Sequence, residues 1–419
     1  MSSMARQGVV EKSFESMRRV LLAAVALLSA LPALAEGPSV ARGEYLARAG
    51  NCGSCHTVPG GAPMAGGVAF ETPFGKIYST NITPDPDTGI GSWTQEQFTQ
   101  ALRNGVRPDG THLYPVFPYT AYTKVSDEDA AALFAYLKSV PPVSSAPAEN
   151  EMSFPFNQRW LMGLWKAMFF DAGPYRPVAG QSEEWNRGAY LVEGLGHCSA
   201  CHSPRNFLGA ERASAAMTGG TYLDRVPTGE LRPWSAPNLT SAANGLGEWS
   251  VEEIAAYLKQ GRNAHVSVSG PMVEVIMNST QHLSDADVRA MSVYLKSLPA
   301  NEGDVTPPAS EALLSEGSLV YDVHCGTCHL PSGLGSEDTG TSLAKFSPLV
   351  QANDPASLIN IILYGPPLPE PPLLAKWKKM EPFADKLTDE EVAQVASFVR
   401  ASWGNKAGAV TAEQVARQR

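Results

Sequence analysis

Every cysteine in this 419-residue chain sits in the same local pattern: Cys52-Gly-Ser-Cys55-His56, Cys198-Ser-Ala-Cys201-His202 and Cys325-Gly-Thr-Cys328-His329. Cys-x-x-Cys-His is the spacing of c-type haem attachment. Two thiols three residues apart on a helical turn can each add to one haem vinyl group. The histidine that follows then lies beneath the iron as its proximal ligand. A single copy could equally be a redox dithiol or half a zinc site. Three copies with no cysteine left over point to three covalently bound haems c. Such a chain must fold as small helical wraps around prosthetic groups that its own core could not enclose.

The N-terminus reads as an export signal over residues 1–35. Arg18 and Arg19 form its positive region, Val20 to Leu31 its apolar run, and Ala33-Leu34-Ala35 its cleavage pattern. The run holds about 12 apolar residues where a membrane span needs about 20. No later stretch reads as a span, so the mature chain is expected in the periplasm, soluble or peripheral to the membrane. Six cysteines in an oxidising compartment would ordinarily suggest disulfides, but the haem spacing argues against that here. The formal net charge of -10 makes nucleic acid an improbable partner and suits a basic protein surface better.

The flanks of the motifs repeat as well. Gly43-Glu-Tyr45-Leu46, Gly188-Ala-Tyr190-Leu191 and Gly317-Ser-Leu-Val-Tyr321 precede them, each reading as a short helix that runs into the haem turn. Each unit closes on a capped helix that begins at Ser126-Asp-Glu-Asp129, Ser284-Asp-Ala-Asp287 or Thr388-Asp-Glu-Glu391. There the hydroxyl caps the first turn and the acid three residues on is expected to reach back. Apolar residues at helical spacing follow in all three. Units one and two also share Asn81-Ile-Thr83 with Gly89-Ile-Gly91-Ser-Trp93, and Asn238-Leu-Thr240 with Gly245-Leu-Gly247-Glu-Trp249. Each of these inserts leads into a further helix near Thr94 or Ser250; unit three lacks it.

The predicted fold is therefore all-α: three tandem cytochrome c-like domains with one haem each, at 40–143, 181–300 and 311–405. Linkers cover 144–180 and 301–310. A polar tail from residue 406 is expected to be ordered only by docking.

Methionine is the usual second axial ligand of an electron-transfer haem. Met380, in a Pro-bearing loop before the last helix, is the candidate in unit three. In unit two it is Met272, in the loop after Gly270-Pro271, with Met277 second and Met291 assigned to the core. The matching loop of unit one, Tyr114-Pro115-Val116-Phe117-Pro118-Tyr119, has no methionine. Three arrangements stay open there: a five-coordinate iron, His112 as ligand, or Met64 as ligand, ranked in that order. His197 and His324 precede a haem cysteine and should point away from the iron; His265 and His282 read as surface or packing residues.

The chain resembles the three-haem cytochrome c subunit of membrane-bound alcohol dehydrogenase and of flavin-dependent gluconate, sorbitol and fructose dehydrogenase complexes. The resemblance is carried by Glu71-Thr72-Pro73-Phe74-Gly75, Tyr78-Ser-Thr-Asn81-Ile-Thr-Pro-Asp85, Glu184-Trp185-Asn186-Arg187-Gly188, Gly270-Pro271-Met272 and Ser402-Trp403-Gly404-Asn405. It implies that His56, His202 and His329 are proximal ligands and that Met272 and Met380 are distal ones. Phe117 stands where the family's first domain usually has Met. The resemblance also implies a separate catalytic dehydrogenase subunit, with a flavin or quinone cofactor, as electron donor. Ubiquinone or another acceptor at the periplasmic face of the membrane would take the electrons.

No G-x-G-x-x-G and no P-loop occur in the sequence, so catalysis is expected in that other subunit. Between units one and two, Trp160, Leu161, Leu164, Trp165, Met168 and Phe169 recur at helical spacing. That stripe must be covered, either by units one and two or by a partner or membrane surface.

Overall fold

A computed structural model describes residues 39–336, 338–344, 347–366 and 379–419. The expected export signal lies outside these residues.

Three long helix pairs frame the molecule. Val40–Ala49 crosses Asp127–Ser139, Glu183–Tyr190 crosses Asp285–Ser297, and Glu311–His324 crosses Asp389–Ala401. The glycine that repeats before each motif explains why they can cross so closely. A Cβ on Gly43 would lie 2.0 Å from the Ala132 carbonyl oxygen, one on Gly188 2.0 Å from that of Ala290, and one on Gly317 2.1 Å from that of Gln394. Backbone meets backbone at these three points, and only hydrogen fits.

Each pair is completed by a middle helix: Gln95–Asn104, Val251–Gln260 and Ala356–Tyr364. The first two begin at Thr94 and Ser250, each closed by a full capping box. The third has no counterpart in the sequence reading. Its Leu358, Ile359, Ile362 and Leu363 are buried, and it starts behind Pro355 without a side-chain cap, so neither period nor box announces it.

The expectation of an all-α fold holds only approximately. Between motif and middle helix, units one and two each carry an antiparallel hairpin. Ala69–Thr72 pairs with Gly75–Tyr78, and Gly220–Arg225 pairs with Leu231–Ala236. Gly75, at φ 131°, makes the first turn tight enough. Glu151–Met152, from the linker, adds a third strand to the first hairpin. Short alternating segments such as Thr-Tyr-Leu-Asp-Arg form these ribbons, and their length hides them beside long amphipathic helices.

Units one and two share one apolar core, running from Leu46 and Leu133 through Leu191 to Val288 and Leu295. Each such side chain contributes about 1.5–3 kcal/mol on burial. A reciprocal polar clamp locks the pair. Arg42 holds Asp129 (3.1 Å), and Tyr190 of unit two donates to the same carboxylate at 2.6 Å. Arg187 holds Asp287 (2.7 Å), and Tyr45 of unit one donates to it at 2.5 Å. The two clamps are the same contact with the units exchanged. They also correct the capping expectation. Ser126 and Ser284 do cap their helices, but Asp129 and Asp287 turn to arginine and tyrosine instead of reaching back; of these three closing helices, the one begun by Thr388 and Glu391 has the full box.

Unit three has its own core around Tyr321, Leu363, Val395 and Val399. It docks on the second hairpin, where Ser235 and Ser357 exchange backbone and hydroxyl hydrogen bonds of 2.8–3.1 Å and Asn360 donates to the Pro233 carbonyl at 2.8 Å. The tail after Lys406 docks there as well. Val410 and Val415 join this core, and the fully buried Arg400 donates from Nε to the Gly408 carbonyl at 2.9 Å.

The linker forms the helix Leu161–Phe169, laid across unit one. Arg159 donates to the His112 carbonyl (2.9 Å) and stacks over Tyr114. Lys166 reaches the last carbonyls of the middle helix, Asn104 (2.5 Å) and Gly105 (2.9 Å). Trp165 donates to the Leu208 carbonyl of unit two at 3.0 Å. One face of the expected stripe thus packs between the first two units. Trp160, Leu164 and Met168 lie on the other face and are exposed.

Candidate haem sites

A single cavity of about 2740 Å³ runs along the inner faces of all three units. Its walls bring together all eleven residues expected from the sequence: the six cysteines, His56, His202, His329, Met272 and Met380. No two cysteines are joined.

The motif turns are short helices, Cys52–His56, Ser199–His202 and Gly326–His329. Each places its histidine ring against a backbone carbonyl. His56 Nδ1 lies 2.7 Å from Thr80 O, His202 Nδ1 2.7 Å from Pro237 O, and His329 Nδ1 2.9 Å from Thr341 O. A carbonyl only accepts, so Nδ1 carries the proton and Nε2 is left with a lone pair for a metal. Burial holds all three imidazoles below the usual histidine range, which keeps them neutral and able to ligate, even though the carbonyl bond pulls the other way. Burial also pushes the Cys52 and Cys198 thiols up to about 12 and those of Cys55, Cys201 and Cys325 to about 11. Surroundings this apolar suit a thioether better than a thiolate. The histidine tautomers, the unpaired thiols along the cavity wall and the cavity between them fit haem c.

The three carbonyl partners escaped the sequence reading because a carbonyl has no side-chain signature. In units one and two a signal was nonetheless present. Thr80 and Pro237 directly precede the repeated Asn-x-Thr. Asn81 accepts from Thr83 N (2.9 Å) and donates to Val143 O (2.7 Å); Asn238 does the same with Thr240 N (2.8 Å) and Asn301 O (2.8 Å). The repeat builds the turn that aims the carbonyl.

On the open side, Met272 is the first residue of a short helix, Met272–Asn278, and not part of a loop, because Gly270 (φ 62°) and Pro271 start the helix there. Met277 turns its carbonyl to His282, and Met291 is buried in the core. Met380 borders the cavity beside Gly365.

Unit one differs in the way its sequence suggests. After the middle helix, Leu113 N bonds to Gly105 O, as Val268 N bonds to Gly261 O in unit two. Four residues on from these matched bonds stand Phe117 and Met272. Phe117 therefore occupies the position of the methionine, its ring 5.3 Å from that of Tyr122. His112 faces Lys166 Nζ at 3.1 Å and is tied to the linker helix. Met64 has a counterpart in unit two. Met64 and Met217 both adopt φ 62°, and both accept at their carbonyl from the residue after the repeated Asn, Ile82 or Leu239. Gly66 and Gly219, two residues on, bond to the carbonyls of His56 and His202, which puts both methionines in the loop on the histidine side.

The other histidines are packing residues. His197, at φ 36°, sets its ring edge-on to Tyr122, and His324 packs on Phe383. His265 meets Glu253 at 2.8 Å.

The sequence matches the family profile described as "Cytochrome c" over residues 40–141 and 186–299, and that described as "Cytochrome C oxidase, cbb3-type, subunit III" over residues 312–399. It is 40% identical over 390 residues to the gluconate 2-dehydrogenase cytochrome c subunit of Pantoea cypripedii, covering 90% of this chain and 88% of that one. It is 40% identical over 395 residues to the cytochrome c subunit of the alcohol dehydrogenase (quinone) of Gluconobacter oxydans, covering 90% and 81%. It is also 42% identical over 365 residues to a nicotinate dehydrogenase subunit of Pseudomonas putida, covering 85% of this chain but spanning only 29% of that protein. Cytochrome c domains hold covalently bound haem c and transfer electrons, and with these matches over nearly its whole described length the chain belongs to the cytochrome c family, among the cytochrome c subunits of alcohol, gluconate and fructose dehydrogenase complexes.

Proposed function

We propose that the protein carries three haems c, one in each unit, and relays electrons from a separate catalytic dehydrogenase subunit to ubiquinone or another respiratory acceptor. The observation that carries this is the threefold repeat of one site: a cysteine pair, a half-buried histidine fixed through Nδ1 to a carbonyl, and a shared cavity. Bound haem supplies a one-electron ferric–ferrous couple. The chain does the rest. Cys52 and Cys55, Cys198 and Cys201, and Cys325 and Cys328 attach the groups. His56, His202 and His329 hold them from one side, and Met272 and Met380 meet the second and third from the other. The apolar walls exclude water and so set the potentials.

The donor carries flavin or a quinone cofactor, and the complex works in the periplasm, peripheral to the membrane, after export through residues 1–35. The relatives' names support a dehydrogenase partner; the periplasmic site rests on the export pattern of residues 1–35.

The test is the mature protein itself. Acid–acetone extraction should leave all haem on the polypeptide, and the mass should exceed that of the chain by three haems. Replacing Cys198 and Cys201 by alanine should leave two. Purification from the native source should bring down a dehydrogenase whose substrate reduces the haems. A colourless, disulfide-bonded protein would overturn the reading.

A further inference from the structure

We propose that Met162, on the linker helix, is the sulfur ligand on the open side of the first haem, in place of the methionine lost at Phe117. This rests on the haem reading above. Four observations converge on it.

First, the position in unit one that corresponds to Met272 holds a phenylalanine, which offers iron no lone pair. Second, the linker helix is fastened over the very loop that carries Phe117. Arg159 stacks 4.6 Å over Tyr114 and bonds to His112 O, and Lys166 bonds to Gly105 O and faces His112. Met162 lies between these anchors, in the first turn of the helix and four residues before Lys166, and therefore on the same face as Lys166. It is buried, it shares a small apolar cluster with Tyr114 and Trp165 on which Phe117 packs, and it borders the cavity.

Third, the wall has been reshaped to admit a side chain from outside the unit. Trp234 stands four residues before Asn238 and fills the open side of unit two; an added Cβ at Gly270 would lie 2.6 Å from its ring. Four residues before Asn81, unit one has the much smaller Ile77, which packs against the cluster that contains Met162.

Fourth, the other candidates are engaged elsewhere. Met64 lies in the histidine-side loop, and His112 is tied to Lys166. Met168 also borders the cavity but is 60% exposed on the opposite face of the helix, and Met152, which packs on the same cluster, is held in the strand Glu151–Met152 added to the first hairpin and is less buried than Met162. A neutral, polarisable thioether in an apolar pocket is the ligand type that the other two sites are built for.

The full-length holoprotein, first shown to carry three haems by pyridine haemochrome, decides the matter. The oxidised protein should show the sulfur-to-iron absorption band and the shifted methionine methyl resonances for three haems, and the reduced protein should not bind carbon monoxide. Met162→Leu keeps the volume and removes the sulfur. It should abolish these signatures at one haem in three and open that haem to carbon monoxide. Adding Phe117→Met to Met162→Leu should restore the third signature. Met168→Leu and Met152→Leu should change nothing. The proposal is overturned if the native protein shows two methionine-ligated haems, if Met162→Leu keeps three, or if either control loses one. Should Met162→Leu fail to fold, Met162→His decides: one haem in three must take a bis-histidine spectrum, and its absence overturns the proposal. A protein with no covalent haem would instead be a failure of the function proposed above.

Discussion

At Gly43, Gly188 and Gly317 the chain repeats one residue for one steric reason. At each, a methyl group would have to share space with a carbonyl oxygen across the helix crossing, at 2.0–2.1 Å. Neither partner is the loose end of a side chain, so the helices themselves must part. Gly188→Ala should therefore cost about 3 kcal/mol, at the upper end of overpacking penalties, although alanine is the better helix former. Thermal unfolding of the holoprotein would show it as a lowered midpoint. The same change at Gly53, where a Cβ meets nothing within 4 Å, should leave the midpoint in place. The repeat of these glycines was plain in the sequence; their reason was not, because it depends on which helix lies across them. The haem-motif residues were the reverse case. Cys-x-x-Cys-His is a chemical signature in itself, so all nine Cys and His positions could be named as candidates from spacing alone. The carbonyls of Thr80, Pro237 and Thr341 that orient the rings could not.

At the scale of elements, the long helices were legible because cap and periodicity coincide. The elements that escaped are those that join units. The hairpin strand Leu231–Ala236 receives unit three through Ser235 and Pro233, and Glu151–Met152 ties the linker to the first hairpin. Short ribbons of this kind are specified by what packs on them, which local sequence does not record. The tail, which its polar composition lets order only by docking, is docked: Val410 and Val415 are 2% and 0% exposed, and Arg419 donates to Leu387 O at 2.5 Å and holds Asp389. Ending the chain after Asn405 would uncover the core around Val395 and Val399 and strip the Gly408 carbonyl from Arg400. Losing the burial of two valines alone removes about 4 kcal/mol. The truncated protein should melt earlier in unit three; with one haem per unit, as proposed, a third of the haem absorbance should follow that earlier transition while the rest holds.

Across the whole molecule, units one and two behave as one body and unit three as a docked second. Their cores divide in that way, and so do the two family profiles matched. Within the first body the motif turns abut. Asn278 of unit two donates to Ser54 beside Cys55 at 2.8 Å, and Tyr122 and His197, one from each unit, converge on the Gly50 carbonyl. Keeping those turns in register is the task of the exchanged tyrosine clamps. A hydrogen bond to a charged group contributes about 1.5–3 kcal/mol, so Tyr45→Phe and Tyr190→Phe should each lower stability by about 2 kcal/mol. The double variant should speed amide exchange in the first turns after Ser126 and Ser284 while unit three stays protected. The clamp at Asp287 adds a pH signature. Burial raises its pKa, but the bonds from Arg187 and Tyr45 outweigh that and hold it below the usual carboxylate range. Its contribution is thus fully present above about pH 4, the ordinary carboxylate value, and is lost as pH falls through the lower folded value. Tyr45→Phe removes part of the pull that depresses this pKa, so the variant should lose less stability on acidification than the native protein. The stability gap between the two should narrow below about pH 4, measured by denaturant unfolding across that range; a gap that stays constant would mean that Tyr45 does not act through the Asp287 carboxylate.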